Sequence, residues 1–310
     1  MDRKAIIYPI GGGKGGVGKS FITANLGVLL SKKGSRVLLI DMDLGGSNLH
    51  TFFGIETVKT GLNDFLNKNI SNLDHAAIPT SFNGLSIISS KNTSLESANL
   101  PHAQKLKLIR AIKNLDYDYI LLDLGAGTNF NTLDFFLTST EGIFVCTPQP
   151  TSIENTFQFI KTVFYRKLKQ VLKLQIFKNI IESFSHVSDS SHVKLKELID
   201  FATEYDNEKG EQLKSILARF RFYFIMNEYS KQVDPKLGAK VERVYNHHFP
   251  ARFKFLGNVG FDEKVYDSIL SKNVYIKKYP YTSTATDLQN VVYNLTENST
   301  APFSKARNQI

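Results

Sequence analysis

The feature that most constrains this chain is a segment near its start that is rich in glycine and lysine. Residues 11–20 read GGGKGGVGKS, and Gly13, Gly18, Lys19 and Ser20 satisfy the phosphate-loop pattern G-x-x-x-x-G-K-[ST]. Glycines let backbone N–H groups turn inward around a phosphate, because no Cβ blocks the approach or the positive φ angles. The flanking strand and helix patterns disfavour an ordinary glycine-rich turn. The segment therefore predicts a binding site for a nucleoside triphosphate.

Short β-branched runs alternate with helical patterns along the rest of the chain, which predicts a parallel sheet with helices on both faces. The predicted strands cover residues 5–10, 36–40, 84–88, 119–122, 143–146, 222–226 and 255–259. We expect one α/β domain over residues 1–310, with a helical insertion at about 157–221. The insertion is expected to contain a basic, aromatic helix over about 157–181 and two shorter helices.

Aspartates stand at the ends of two predicted strands. Asp41 and Asp43 follow strand 36–40, and Asp123 follows strand 119–122. Because parallel strands bind ligands beyond their carboxyl ends, we expect these side chains beside the phosphate loop. An apolar strand that ends in aspartate is the Walker B arrangement, which places a carboxylate behind the water shell of Mg²⁺. For Asp41 and Asp43, the alternative is that the aspartate only caps the element that follows it.

A second lysine, Lys14, directly follows the first glycine of the phosphate-loop pattern. The arrangement K-G-G-x-G-K-[ST] resembles the deviant phosphate loop of the MinD/ParA ATPases, which form face-to-face dimers around two ATP molecules. The resemblance covers most of residues 4–295 and implies a three-layer P-loop NTPase fold that uses ATP and Mg²⁺. It also implies that Lys14 acts on the phosphate held by a second copy, as an arginine finger acts in trans.

The same resemblance implies roles for the acidic segments. The family's first switch, D-x-D-x-x-x-x-N, is matched by Asp41, Asp43 and Asn48. Asp43 would orient the attacking water, and Asp41 would hold a water on Mg²⁺. The second switch begins at Asp123 and contains Gly127. By this resemblance the catalytic residues are Lys14, Lys19 and Asp43, and the metal-binding residues are Ser20, Asp41 and Asp123.

Further residues are expected to contact the nucleotide. Asn227 follows strand 222–226, where the family places an asparagine against adenine, unless it is only a turn residue. The other expected contacts lie in the phosphate loop, in the first turn of the helix after it and in the two switches: Gly13, Lys14, Gly15, Gly16, Val17, Gly18, Lys19, Ser20, Phe21, Asn48 and Gly127.

Segments 41–54 and 123–127 look closer to MinD and the flagellar-number regulator FlhG than to plasmid ParA. The resemblance therefore implies an ATP-gated homodimer that hydrolyses ATP slowly, responds to a protein activator or cargo, and controls positioning in cell division or in flagellar or polar machinery. We expect it in the cytoplasm, with peripheral association at a membrane, pole or nucleoid. The single cysteine, Cys146, excludes iron–sulfur and scaffold relatives, which need two cysteines.

Two other functions stay open on the sequence. The formal net charge is +9, and residues 161–196 hold eight lysines and arginines against two acids. The basic segment 161–196 has three possible roles. It is a solvated helix face, a DNA contact of a ParA-like partition or cargo-positioning ATPase, or a contact with an anionic membrane or protein. Residues 299–307 do not resemble the amphipathic anchor of MinD.

A bacterial tyrosine kinase shares a related phosphate loop, but the tyrosines near the C-terminus are spread out rather than clustered in a tail.

Overall fold

The computed structural model describes residues 4–44, 46–90, 100–172 and 195–298. Their strands form an eight-stranded sheet in the order β3-β4-β2-β5-β1-β6-β7-β8, in which only β3 and β4 pair antiparallel. The strands are β1 (Ile6–Gly11), β2 (Val37–Asp41), β3 (Ile78–Pro79), β4 (Leu85–Ile88), β5 (Tyr119–Asp123), β6 (Glu141–Cys146), β7 (Arg221–Tyr229) and β8 (Arg252–Gly260). The predicted mostly parallel α/β fold is confirmed.

Helices connect the strands and cover the sheet. The α-helices of the described residues are α1 (Lys19–Lys32), α2 (Leu62–Leu66), α3 (His102–Lys113), α4 (Phe130–Phe136), α5 (Pro150–Val171), α6 (Leu195–Tyr205), α7 (Asn207–Leu217), α8 (Leu237–His248), α9 (Lys264–Leu270), α10 (Tyr275–Lys278) and α11 (Ser283–Asn298). Two short 3-10 helices span Leu49–Phe53 and Leu73–Ala76.

Two hydrophobic cores lie on the two faces of the sheet. All five residues of β2 are buried, as is typical of a parallel strand covered on both sides. Leu38 packs into one core together with side chains of α3 and α5, and Leu39 packs into the other with side chains of α1 and α11. Successive residues of a strand point to opposite faces, so this alternation produces three layers.

The strand order brings the phosphate loop to a crevice. β1 lies between β5 and β6, so connections on its two sides run in opposite directions across the sheet. Ligands of such sheets bind outside the carboxyl ends of the strands where the direction reverses. The loop after β1 lies at this point.

Two differences from the sequence predictions have physical reasons. The two-residue strand β3 is too short to show an alternating pattern. The basic helix begins at Pro150 instead of residue 157, because the fixed φ of proline suits the first turn of a helix. The continuation of this helix beyond residue 172, the serine-rich turn after it and the tail 299–307 lie outside the described residues.

Candidate nucleotide-binding site

The phosphate loop joins β1 to α1 and takes a shape that only glycines allow at several positions. Gly16 and Gly18 have φ angles of 79° and 88°, in the left-handed region. A Cβ on Gly13 would lie 2.0 Å from the backbone oxygen of Asn155 in α5, so the loop backbone packs directly on that helix. The loop runs into the N-terminus of the 14-residue α1, where free N–H groups and the helix dipole favour an anion.

Lys19 is the first residue of α1, and its side chain is buried among acids. It is only 8% exposed. Burial lowers the pKa of Lys19, while the negative charges of Asp123 and Asp43 oppose that shift. The ammonium group therefore lies near both aspartates, and its predicted contact with the β- and γ-phosphates stays a prediction.

Asp41 and Asp123 lie side by side at the carboxyl ends of β2 and β5. They are paired in the parallel register and are 1% and 3% exposed. Burial, and next the charge of Asp41, raise the pKa of Asp123 to about 7, although hydrogen bonds from Ser20 and Thr23 and the charge of Lys19 oppose the shift. Burial also raises the pKa of Asp41.

This donor set fits a magnesium ion bound together with a nucleotide. Two adjacent buried carboxylates resist simultaneous ionisation, and a divalent cation removes that penalty. The side chain of Ser20 hydrogen-bonds Asp123, so a hydroxyl and a carboxylate oxygen lie together at the start of α1. Mg²⁺ prefers such oxygen ligands, one or two from the protein and the rest from phosphates and water.

Asp41 also organises the segment that follows β2. Its carboxylate accepts hydrogen bonds from Ser47 Oγ at 2.8 Å and from the backbone nitrogen of Leu49 at 3.1 Å. It also accepts one from the backbone nitrogen of Asp43 at 3.1 Å. The structure thus contains the capping role that the sequence left open for Asp41, and these bonds fix the chain path of the predicted first switch. A water-mediated role at Mg²⁺ stays a prediction.

Asp43 connects the two predicted switches. A Cβ on Gly125 would lie 3.2 Å from Cγ and Oδ1 of Asp43, so the carboxylate rests directly on the second switch. Ser90, which follows β4, donates its hydroxyl to the backbone oxygen of Asp43 at 3.0 Å. The side chain is partly exposed, and its charge acts on Lys19. Its position at the open side of the phosphate loop is compatible with contact with a water molecule.

Asn227 supports the phosphate loop from the far side. Its Nδ2 donates to the backbone oxygen of Val17 at 3.0 Å, and a Cβ on Gly18 would lie 2.2 Å from the same nitrogen. The next residue, Glu228, is exposed and has a φ of 55°, which strains a non-glycine residue. The side chain of Asn227 therefore has a structural contact that the sequence did not predict, and its contact with adenine stays a prediction.

The remaining predicted residues differ in how close they lie to the loop. Asn48 is exposed, and its Nδ2 donates to the backbone oxygen of Gly46 at 2.8 Å. The ring of Phe21 is buried 5.7 Å from that of Tyr275, so only its backbone could contact a phosphate. Gly127 has a φ of 86° with open space around it.

Lys14 contrasts with Lys19. It is exposed, and its side chain makes no hydrogen bond or ion pair with any residue in the described ranges. The neighbouring Gly15 approaches the second switch, since a Cβ on it would lie 3.7 Å from that of Ala126. The ammonium group of Lys14 is thus available at the mouth of the site.

Sequence reasoning missed Thr23 and Asn155. Thr23 Oγ1 donates to the backbone oxygen of Lys19 at 2.9 Å and lies 3.2 Å from Asp123 Oδ1. Thr23 can be predicted from its position four residues after Lys19 on α1, because residues at that spacing share a helix face. The contact of Asn155 uses only its backbone, so the type of its side chain carries no signal.

Comparisons with known proteins agree with this geometry. The ParA family model, described as NUBPL iron-transfer P-loop NTPase, matches residues 3–194. The putative septum site-determining protein MinD of Oltmannsiellopsis viridis is 37% identical over 146 residues, which are 46% of this chain and 45% of that protein. The antiactivator FleN of Pseudomonas aeruginosa is 29% identical over 157 residues, which are 50% of this chain and 55% of that protein. The chain thus spans about half the length of these relatives.

Solved structures share the fold over nearly the whole chain. The cell division ATPase MinD of Pyrococcus furiosus has a TM-score of 0.65 at 21% identity, over 96% of this chain and 100% of that one. The septum site-determining protein MinD of Pyrococcus horikoshii, complexed with Mg-ADP, has a TM-score of 0.63 at 20% identity, over 94% and 96%. At this level of identity the similarity concerns the fold alone. In the described parts of the chain, no helix is long and apolar enough to cross a bilayer.

Proposed function

The chain belongs to the ParA family of P-loop NTPases, and from that premise we propose that it is an ATP-dependent dimerising ATPase of MinD/FlhG type. In this proposal two copies enclose two Mg-ATP molecules, and hydrolysis to ADP and phosphate separates them. The switch would control the position of cellular machinery through an activator or cargo protein. Residues 1–310 would act as one P-loop ATPase domain. The MinD and FleN relatives support a positioning ATPase at the level of the family.

The observation that carries the proposal is the contrast between the two lysines of the loop. Lys19 is buried beside Asp123, whereas Lys14 is exposed and makes no hydrogen bond or ion pair with another described residue. One lysine is therefore committed to the site of its own chain. The other is free to reach a phosphate across an interface, which supports a role for Lys14 in trans.

The residues of the site divide the chemistry between them. Lys19 and the backbone N–H groups of the loop would bind the β- and γ-phosphates. Ser20 and Asp123 would hold Mg²⁺, which bridges phosphate oxygens and neutralises the charge that develops during phosphoryl transfer. Asp43, on the open side of the loop, would orient the water that attacks the γ-phosphate. The leaving group is ADP, and the proton of the water passes to phosphate or solvent.

Slow turnover is part of the proposal. Asp43 contacts the second switch at Gly125, so its position depends on a segment that a partner protein can move. A single carboxylate that orients water, without a strong base nearby, gives weak acceleration until the site is closed. A partner that fixes the two switches would then raise the rate, which agrees with a switch controlled by an activator.

The iron-transfer part of the matched family description does not extend to this chain in our proposal. The sequence has one cysteine, Cys146, which is buried in β6. Burial raises the pKa of this thiol to about 12, so the thiolate that binds metals is disfavoured. Bridging clusters and C-x-x-C sites need two thiolates, and we therefore propose nucleotide hydrolysis without cluster transfer.

DNA contact through the basic helix stays a prediction. In the described part of α5, Arg166 forms a bidentate pair with Asp134 at 2.7 and 2.8 Å. This guanidinium therefore serves internal structure rather than a polyanion. Lys169 is exposed on the same helix, and Lys173, Lys178 and Lys194 lie outside the described residues.

The direct test compares Lys14→Ala with wild type in two assays. Sedimentation velocity with Mg-ATP measures dimerisation, and phosphate release measures hydrolysis. We expect wild type to dimerise with ATP and not with ADP. We expect Lys14→Ala to bind ATP normally but to lose dimerisation or to hydrolyse about a thousandfold more slowly, which is the lower end of what an arginine finger of comparable role supplies.

Lys113→Ala is the matched control. Lys113 is also exposed, but it lies in the last turn of α3, away from the loop. This variant should behave as wild type in both assays. A wild-type protein that stays monomeric with Mg-ATP, or a Lys14→Ala variant with normal turnover, contradicts the proposal.

A further inference from the structure

The amino ends of β6, β7 and β8 carry a cluster of arginines at the edge opposite the phosphate loop. Arg219, Arg221 and Arg252 line one open depression of about 340 Å³. Arg221 and Arg252 also line an adjoining depression of about 330 Å³ together with Asn246 and Lys254. The two depressions therefore form a continuous trough with cations along it.

The sheet register brings these side chains together. Arg221 pairs with Arg252 on β8 and with Glu141 on β6. Residues that pair across parallel strands point to the same face and lie about 4.8 Å apart. Arg219 enters from the turn before β7 and reaches the same depression. The convergence is thus a consequence of strand register rather than of adjacency in the sequence.

None of these three guanidinium groups has an acidic partner among the described residues. No side-chain hydrogen bond or ion pair involves Arg219, Arg221 or Arg252 in those ranges. Lys254 differs, because its Nζ lies 3.9 Å from Glu242. Unpaired arginines that converge on one concavity repel one another, and an anion that binds all three removes that repulsion.

Glu141 is the one acid among the described residues that line either depression, and the register places it beside Arg221. Burial, followed by the charge of Glu141, raises the pKa of Tyr8 well above its usual value, and the same two causes raise that of Tyr223. Its carboxylate thus lies beside two buried tyrosines below the trough. This leaves an excess of positive charge at the surface.

We propose that Arg219, Arg221 and Arg252 form a second anion site, which binds a small molecule that carries two or more adjacent phosphoryl groups. Guanidinium groups bind phosphate oxygens through paired N–H donors. A single phosphate would leave part of the cluster without a counterion. A volume of about 340 Å³ also lies in the range of small-molecule sites.

The surroundings favour a small ligand over a bilayer or a nucleic acid duplex. The described residues that line the trough include no large exposed apolar side chain that could insert into a membrane. A duplex requires cations spread along an extended surface, whereas these converge on one concavity. The site lies one strand length, about 20 Å, from the phosphate loop, so its ligand binds whether or not ATP is present.

The test is calorimetric titration of sodium tripolyphosphate into the full chain. The Lys19→Ala background weakens binding at the phosphate loop, so the remaining site dominates the signal. In that background we expect Arg219→Gln/Arg252→Gln to bind tripolyphosphate about a hundredfold more weakly, since each charge-assisted contact contributes about tenfold. The single variant Arg252→Gln should weaken binding about tenfold.

Arg110→Gln, on the exposed side of α3, is the matched control and should leave tripolyphosphate binding unchanged. Both substituted arginines of the site are exposed and unpaired within the described ranges, so the variants should melt as the parent does. Equal tripolyphosphate affinity in parent and double variant overturns the proposal. So does an arginine-dependent binding of phosphatidylglycerol vesicles or of a 20-base-pair DNA duplex when tripolyphosphate does not bind.

Discussion

The two ends of the strands in the central sheet differ in the sign of their excess charge. We call them the carboxyl edge and the amino edge. At the carboxyl edge, Asp41 and Asp123 are buried side by side, and Lys19 is the cation that compensates them. At the amino edge, Arg221 on β7 lies between Arg252 on β8 and Glu141 on β6 in the register. One edge is buried with an excess of acid, and the other is open with an excess of base.

The difference indicates how each edge can be used. The buried acidic edge lies next to glycine N–H groups and a helix N-terminus, so it accepts a phosphate chain only together with a divalent cation. The open basic edge needs no metal, because its guanidinium groups neutralise an anion directly. We therefore propose nucleotide chemistry at the first edge and simple anion binding at the second.

The largest expected effect is that of Lys19→Ala on nucleotide binding. The variant removes the buried cation beside Asp123 and leaves the phosphate chain facing uncompensated carboxylates. We expect ATP affinity to fall about a hundredfold or more, measured by titration with a fluorescent ATP analogue. An ATP affinity within about threefold of wild type would contradict the assignment of the nucleotide site to the carboxyl edge.

Asp43→Ala should separate binding from hydrolysis at the same edge. Asp43 rests on Gly125 of the second switch, and in the proposal its carboxylate orients the attacking water rather than the phosphate chain. We expect ATP affinity within about threefold of wild type, and phosphate release slower by about a hundredfold, the usual contribution of a group that positions water. Asp43→Asn keeps the size of the side chain and tests the charge. Normal turnover in both variants would refute the assignment.

The acidic edge should also make the metal-free protein sensitive to pH. The pKa of Asp123 is about 7 in the folded chain against 3.8 for an exposed aspartate, so the folded state binds more protons between these values. The contribution of Asp123 to stability is therefore fully present below about pH 3.8 and is lost as the pH rises toward about 7. Without Mg²⁺ and nucleotide, the melting temperature should be higher at pH 6 than at pH 8.

Asp123→Asn is the control for this pH effect, because it cannot ionise. The difference in melting temperature between pH 6 and pH 8 should shrink in the variant. If the variant keeps the full difference, other groups cause the pH dependence, and the burial of the acid pair does not determine stability in this range.

The smallest expected effect on ATP binding and hydrolysis is that of the arginine cluster at the amino edge. Arg219→Gln/Arg252→Gln should leave ATP affinity and hydrolysis within about twofold of wild type, because the residues lie about a strand length from the phosphate loop. The measurement is the same nucleotide titration. A tenfold loss would mean that the two edges communicate through the sheet.

Much of the fold and of the phosphate site could be predicted, because the determining signals are local. The phosphate-loop pattern fixes the glycines and Lys19, and an apolar run ending in Asp123 marks a strand beside them. The alternation of strands and helices then predicts where β1 and β5 end. Each of these features depends only on residues that lie close together in the sequence.

The contacts that could not be predicted join distant parts of the chain. Asn227 donates to Val17 across 210 residues, and the fit between Gly13 and Asn155 involves backbone atoms. The arginine cluster depends on a register that pairs Arg221 with Arg252, and sequence spacing does not determine it. Such features need the assembled sheet.

The most direct test of the central claim is a crystal structure with Mg²⁺ and a non-hydrolysable ATP analogue. We expect a twofold dimer in which the ammonium group of Lys14 from each copy hydrogen-bonds the γ-phosphate in the other. A bound analogue with Lys14 directed to solvent, and no second copy across the site, would contradict it.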